Sequence, residues 1–110
     1  MPALVNALRE ALAGFPAGAP ALVDAGGTLS ASTLLDQVAR ESRWLASCGA
    51  QRFGLLADNG RGWAIADLAL LAAGRPCIPL PQHFGPGQLR HALDSAGVDA
   101  VLSDEPRRLL

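Results

Sequence analysis

Apolar residues recur at helical spacing from the start of the chain. Leu4, Leu8 and Leu12 fall every four positions with Val5 beside them, and Gly14 follows. That spacing predicts a helix over residues 3–13, stopped at the glycine. Phe15 to Pro20 is rich in proline, glycine and alanine and reads as a linker. Ala21 to Asp24 has the character of a short strand. Gly26-Gly27 supplies a turn, and Thr28 to Ser30 returns as a hairpin partner. A second helical pattern begins at Ser30 or Ser32, either of which can cap it, and runs to about Ser47. Leu34, Leu35, Val38, Leu45 and Ala46 mark its apolar face, and Gly49 is the expected left-handed terminator.

The middle of the chain is more apolar. Phe53 to Ala57 is a continuous apolar run of strand length, bounded by Asp58-Asn59-Gly60, and predicts a buried strand. Residues 61–73 then form a helical segment that is apolar nearly all round, interrupted by Asp67. Such a helix must be covered on more than one side, which implies a neighbour beyond this domain. Gly74 closes it. Residues 75–80 hold a strand carrying Pro76 and Pro79; proline lacks the ladder N–H, so this strand is short or lies at an edge. Pro86 suits the first turn of a further helix. Leu89, Ala92, Leu93 and Ala96 fall on one face, and Gly97 caps the end. Ala100 to Ser103 is the last strand. Residues 105–110 follow with no closing element.

Strands that alternate with helices require crossover connections and a mostly parallel sheet. The expected fold is therefore α/β: a three-layer, flavodoxin- or Rossmann-like arrangement with helices on both faces, preceded by a helix and a β-hairpin. The expected organisation is one domain. Residues 1–20 are the N-terminal helix and linker, 21–104 the α/β core, and 105–110 a truncated tail.

Composition narrows the function. The 110 residues carry nine basic and ten acidic side chains, and every basic one is arginine. A net charge of −1 with no basic stripe excludes the electrostatic footprint of a nucleic-acid binder. The longest apolar run, Leu68 to Ala73, falls far short of the roughly 20 residues of a membrane span. The N-terminus lacks the basic region of a signal peptide, and the expected location is cytoplasmic. Cys48 and Cys77 have no metal or redox spacing and read as reduced packing thiols.

Three chemistries were weighed on the residues. Asp58-Asn59-Gly60-Arg61-Gly62 follows a strand and opens a helix, as a dinucleotide fingerprint does. The third small residue is replaced by Ile65, and the acidic ribose ligand about 20 residues on is absent. The segment then reads as a strand–helix loop in which Asp58 or Asn59 caps the helix. A P-loop is excluded for want of its lysine. The element order resembles a phospho-receiver domain, yet Asp24 lacks an acidic companion and the lysine is again missing. His83, His91, Cys77 and Asp94 match no metal spacing.

The run from Ala21 to Asp104 resembles the opening of the adenylate-forming superfamily of acyl-CoA synthetases, luciferases and peptide-synthetase adenylation domains. Its pieces stand in order: ALVDAGGTLSASTLLDQVARESRWLASCGAQ, then RFGLLADNGRGWAIADLALLAAGRPCIPLP, then GPGQLRHALDSAGVDAVLSDE. They cover about three quarters of the chain. The resemblance implies a ligase that converts a carboxylate and ATP, with magnesium, to an acyl-adenylate and then to a thioester with CoA, as in fatty acid metabolism. It also implies that the phosphate loop, nucleotide contacts, metal ligand and catalytic lysine lie outside these residues. The expected role is then an N-terminal scaffold, inactive alone, whose partner is the remainder of the parent chain. The resemblance further points to CoA-phosphate contacts at His83 in the loop and at Arg90 and His91 on the last helix. His83 departs from the arginine such ligases place there, and a neutral histidine is the weaker phosphate partner. The alternative is a stand-alone flavodoxin-like binding domain without catalysis. Because the 61–73 helix and the last strand look uncovered, self-association as a two-fold dimer is also expected.

Overall fold

The computed structural model describes residues 2–16 and 18–104. Helix α1 (Pro2–Leu12) comes first. Its Leu8 and Leu12 pack on a cluster of Leu29, Leu34, Val38 and Ile65. The side chains of Leu4 and Val5, expected on the same face, lie outside the described residues, as do Ala17 of the expected linker and the tail 105–110.

Strands β1 (Pro20–Asp24) and β2 (Gly27–Ser30) form an antiparallel hairpin that pairs Leu22 with Leu29 and Asp24 with Gly27. Gly27 has a φ of 120°, a backbone conformation that an L side chain resists. Helix α2 (Ala31–Ser47) starts at Ser30, whose Oγ accepts the Thr33 N–H at 3.2 Å. Leu34, Val38, Ser42 and Leu45 are its buried positions. The buried Ser42 satisfies its own hydroxyl by donating to the Ala39 carbonyl at 2.9 Å.

The α2 terminus corrects one expectation. Cys48 ends the helix in extended conformation, and Gly49 is not left-handed. The Cys48 N–H still reaches the Trp44 carbonyl, so the chain leaves the helix without needing positive φ. Gly74 and Gly97 do adopt the left-handed conformation expected of them, at φ 70° and 66°.

Strand β3 (Phe53–Leu56) is buried at every position. It is the centre of a three-stranded parallel sheet with the order β4-β3-β5, flanked by β4 (Cys77–Pro79) and β5 (Ala100–Ser103). Helix α3 (Arg61–Ala72) links β3 to β4, and α4 (Pro86–Ala96) links β4 to β5. The strand side chains alternate between two clusters. Phe53, Cys77, Ala100 and Leu102 pack with Leu45 of α2 and with Ala69 and Leu70 of α3. Leu56, Ile78 and Val101 pack with Leu89 and Leu93 of α4. As the two prolines require, β4 is three residues long and sits at an edge.

Helix α3 also differs from expectation. Its neighbours are largely inside this domain: it packs on α2, on α1 and on β3 and β4. Ile65, Ala66, Ala69, Leu70 and Ala72 are buried, Leu68 is half-buried, and Leu71 is 59% exposed. The reason is α1. Residues 1–20 contribute a helix that closes over the hairpin side of α3, so part of the cover comes from upstream.

Candidate functional site

Strand order reverses at β3: the chain moves outward to β4 through α3, then returns past β3 to β5 through α4. In open α/β sheets, ligands bind beyond the carboxyl ends of the strands at such a reversal. A cleft of about 520 Å³ lies there. Asp58 and Asn59 after β3, and Ser103 and Asp104 at the end of β5, form one side. Arg61 and Trp63 in the first turn of α3, with Glu41 of α2 and Asp24 of the hairpin, form the rest of its polar wall.

The first turn of α3 is the best-defined part of this wall. Gly60 is its N-cap and has no side chain to offer, so neither Asp58 nor Asn59 caps the helix, contrary to expectation. The cap comes from a residue distant in sequence. Asp24 Oδ2 accepts the Arg61 N–H at 2.9 Å and the Arg61 Nε–H at 3.2 Å, while Oδ1 accepts from Arg61 Nη2 at 3.0 Å and from the Gly26 N–H at 2.9 Å. One carboxylate thus caps a helix, forms a two-pronged ion pair and closes the hairpin turn. The hydrogen bonds from Arg61, side chain first and backbone second, hold the Asp24 carboxyl well below the usual carboxylate range. Asp24 in turn raises the Arg61 guanidinium.

This has a chemical consequence. A helix N-terminus after a strand is a ready anion site. Here the protein's own carboxylate already fills it, so the loop that resembled a dinucleotide fingerprint presents no open phosphate cradle. Ile65, in the position a small residue takes in that fingerprint, is buried against Leu29, Leu34 and Val38. Across the cleft, Asp104 Oδ2 accepts the Asp58 N–H at 3.0 Å and ties the loop after β3 to the end of β5. The remaining carboxylates, Glu41, Asp58 and Asp104, leave the cleft acidic.

The residues singled out for CoA phosphate stand elsewhere. His83 is exposed in the β4–α4 loop, its ring edge-on to Phe84 with centroids 5.3 Å apart. Arg90 and His91 are exposed on α4, and His91 Nε2 lies 3.4 Å from Ser95 Oγ. No hydrogen bond or ion pair joins the three. Cys48 and Cys77 are free and half-buried. Burial first, and Asp67 second, push the Cys77 thiol up, away from reactivity. Among the described residues no group of three or more His, Cys, Asp or Glu could hold a metal ion, and no helix is long and apolar enough to cross a membrane.

Sequence reading missed both the cleft and the Asp24–Arg61 pair. Thirty-seven residues separate the partners, and no periodicity connects them. The one available signal was the bare Asn59-Gly60-Arg61 start of α3, a helix whose nearest candidate caps do not reach it.

The chain was compared with known proteins. The family model described as AMP-binding enzyme matches residues 8–109. Human long-chain-fatty-acid–CoA ligase 6 is 31% identical over 62 residues, and the rat protein of the same name 32% over 63. The match takes in 56% of this chain, which spans 9% of the length of either relative. Among solved structures, the Klebsiella oxytoca NpsA N-terminal subdomain in complex with anthranilyl-AMSN superposes on all of the chain with a TM-score of 0.81 at 15% identity. The chain covers 28% of it. The Vibrio cholerae adenylation domain AlmE, in complex with glycyl-adenosine-5'-phosphate, covers 98% of the chain with a TM-score of 0.81 at 23% identity, and the chain covers 20% of it. A benzoate CoA ligase from Burkholderia xenovorans LB400 covers 91% with a TM-score of 0.77 at 21% identity, the chain covering 21% of it. These structures share the fold, and the family model, which spans nearly all of the sequence, places this chain in the AMP-binding enzyme family of adenylate-forming proteins.

Proposed function

We propose that the chain is the N-terminal scaffold of an ATP-dependent acyl-activating ligase. The observation that carries the reading is the family match over residues 8–109. In the parent reaction a carboxylate oxygen attacks the α-phosphorus of ATP and pyrophosphate leaves. A thiol, that of CoA in this reading, then displaces AMP from the acyl-adenylate. The relatives named for long-chain fatty acids favour an acyl-CoA product.

The residues present do not fit ATP or Mg²⁺. The one helix N-terminus facing the cleft is filled by Asp24, the cleft is acidic, and the chain contains no lysine to meet a phosphate. ATP, Mg²⁺ and CoA are accordingly assigned to the larger enzyme, and this chain supplies architecture and is inactive alone. The three-stranded sheet is the start of a larger three-layer sheet of flavodoxin-like order, with α2 and α3 on one face and α4 on the other. Residues 2–104 act as one unit, an N-terminal portion of the enzyme's first subdomain, located in the cytoplasm. His83, Arg90 and His91 are retained as candidate contacts to the CoA nucleotide phosphates. In the full enzyme, Arg90→Ala is expected to raise KM for CoA several-fold and to leave KM for the acid unchanged. Equal KM values for CoA would remove Arg90 from the site.

A second reading, a stand-alone binding module, is favoured by one feature, the cleft at the strand reversal. Pyrophosphate exchange separates the two. The 110-residue chain is expected to show none with any carboxylic acid, and the longer protein to show it. A longer protein without exchange would sink the ligase reading.

A further inference from the structure

The two edges of the parallel sheet are built differently. At one edge, β4 carries Pro79 within the strand and Pro76 just before it, and a proline cannot donate to a further ladder. At the other edge, β5 reads Ala100-Val101-Leu102-Ser103, with no proline and no charge inside it. Natural sheets guard an edge that ends in water with such devices. Here one edge is guarded and the other is left bare.

The bare edge adjoins an uncovered apolar groove. Leu102 faces the α2 side of the sheet, in the cluster with Leu45. A groove of about 430 Å³ opens beside it, lined by Arg40, Glu41, Trp44, Leu45 and Leu102. Trp44 is 60% exposed, on the solvent side of a helix whose other large apolar residues are buried or half-buried. Glu41 and Leu102 also line the cleft at the strand reversal, so the two hollows run together along β5.

We propose that β5 and this groove form the docking surface for polypeptide that continues the subdomain, entering as a strand on the free edge of β5. The inference rests on the ligase reading above. The solved NpsA N-terminal subdomain, of which this fold is 28%, shows how much chain such a subdomain holds outside these elements. Handedness fixes how the groove is filled. The step from β4 to β5 passes through α4, on the face opposite α2. A further parallel strand reached by continuing in that direction has its right-handed crossover on the α4 face as well. The groove on the α2 face is then filled by the new strand's own side chains, packed on Trp44 and Leu102, and not by the connecting helix.

The test compares the 110-residue chain with the same chain extended through its own reading frame, both in a Trp63→Phe background so that Trp44 is the sole tryptophan. In the extended protein, Trp44 emission is expected to move to shorter wavelength. Hydrogen exchange across Ala100–Ser103 is expected to slow at least ten-fold, while Cys77–Pro79 exchanges as before. Trp44→Glu is expected to lower the melting temperature of the extended protein and to leave that of the short chain unchanged. Unaltered Trp44 emission and β5 exchange in the extended protein would overturn the proposal. So would an extended protein that still dimerises through β5, which would make a second copy the occupant. Pyrophosphate exchange by the extended protein, measured in parallel, reports on the ligase reading separately.

Discussion

Asp24 shows how much a single side chain can organise. Its two oxygens accept four hydrogen bonds and connect the hairpin, the start of α3 and the rim of the cleft. Asp24→Asn keeps the shape and removes the charge, so it isolates the ion pair. The carboxyl is held far below its ordinary value in the folded chain, while the unfolded chain titrates near 3.9. A group whose pKa is depressed by folding adds stability above its unfolded pKa, and that stability is lost as pH falls toward the folded value. The wild-type chain is therefore expected to melt several degrees above Asp24→Asn at pH 7, with the gap narrowing from about pH 4 downward. A gap that stays constant from pH 7 to pH 2 would show that the charge contributes nothing. Asp99 acts in the same sense, since N–H groups of Arg52 and Gln51 lower its carboxyl. At the other extreme of size is Gly54. A Cβ there would stand 2.9 Å from Leu80 Cδ1 and 3.4 Å from Val98 Cγ1, inside the α4-side core. Gly54→Val is expected to cost about 1–3 kcal/mol through overpacking, read by urea denaturation.

At the scale of elements, α3 is where sequence and structure diverge most. Its composition gives no amphipathic signal, because Ala and Leu occur on every side. Depth is decided by neighbours that periodicity cannot see. Leu70 is fully buried between α2 and the sheet, while Leu71, one residue on, is 59% exposed. Leu70→Ala is accordingly expected to cost about 2–5 kcal/mol. Leu71→Ala is expected to stay within about 0.5 kcal/mol, as for a surface change. Equal costs from chemical denaturation would mean that α3 packs in a different rotation. Elsewhere the local rules served well. Gly74 and Gly97 were legible as helix terminators because only glycine accepts their positive φ cheaply. Gly49 was not, because a helix can also end by running straight into extended backbone. Ser30 was legible as a cap from its place before an apolar pattern. The capping of α3 was not, because its cap is supplied by another element. Arg75 is a comparable case: it donates to the carbonyls of Ala46 and Ala73 and so joins the C-terminal ends of α2 and α3, again beyond the reach of local pattern.

For the whole molecule, the element order carried the topology. Alternation of strand and helix, with the right-handed rule, was enough to anticipate a parallel sheet and a separate hairpin. The strand reversal at β3, and the cleft it creates, depend on which strand becomes central, and no local pattern encodes that. The same topology governs how the isolated chain behaves in solution. The apolar surface left open is not the face of α3 but the edge of β5 with Trp44 beside it. An unguarded edge strand offers a row of backbone donors and acceptors to any strand that meets it. A tryptophan adds a large apolar contact, and aromatic anchors carry much of the energy of protein contacts. Association costs about 4–15 kcal/mol in lost freedom. Two symmetric tryptophan contacts and a short ladder bring the balance into the micromolar to millimolar range, about −8 to −4 kcal/mol. The 110-residue chain is therefore expected to be monomeric at low micromolar concentration and to form a two-fold dimer toward hundreds of micromolar. Sedimentation equilibrium reads the constant directly. Leu102→Lys, which puts a charge into the contact, is expected to weaken dimerisation at least ten-fold, and Leu71→Lys on the exposed face of α3 to leave it unchanged. Loss of the dimer with Leu71→Lys alone would return the contact to α3 and remove β5 from it.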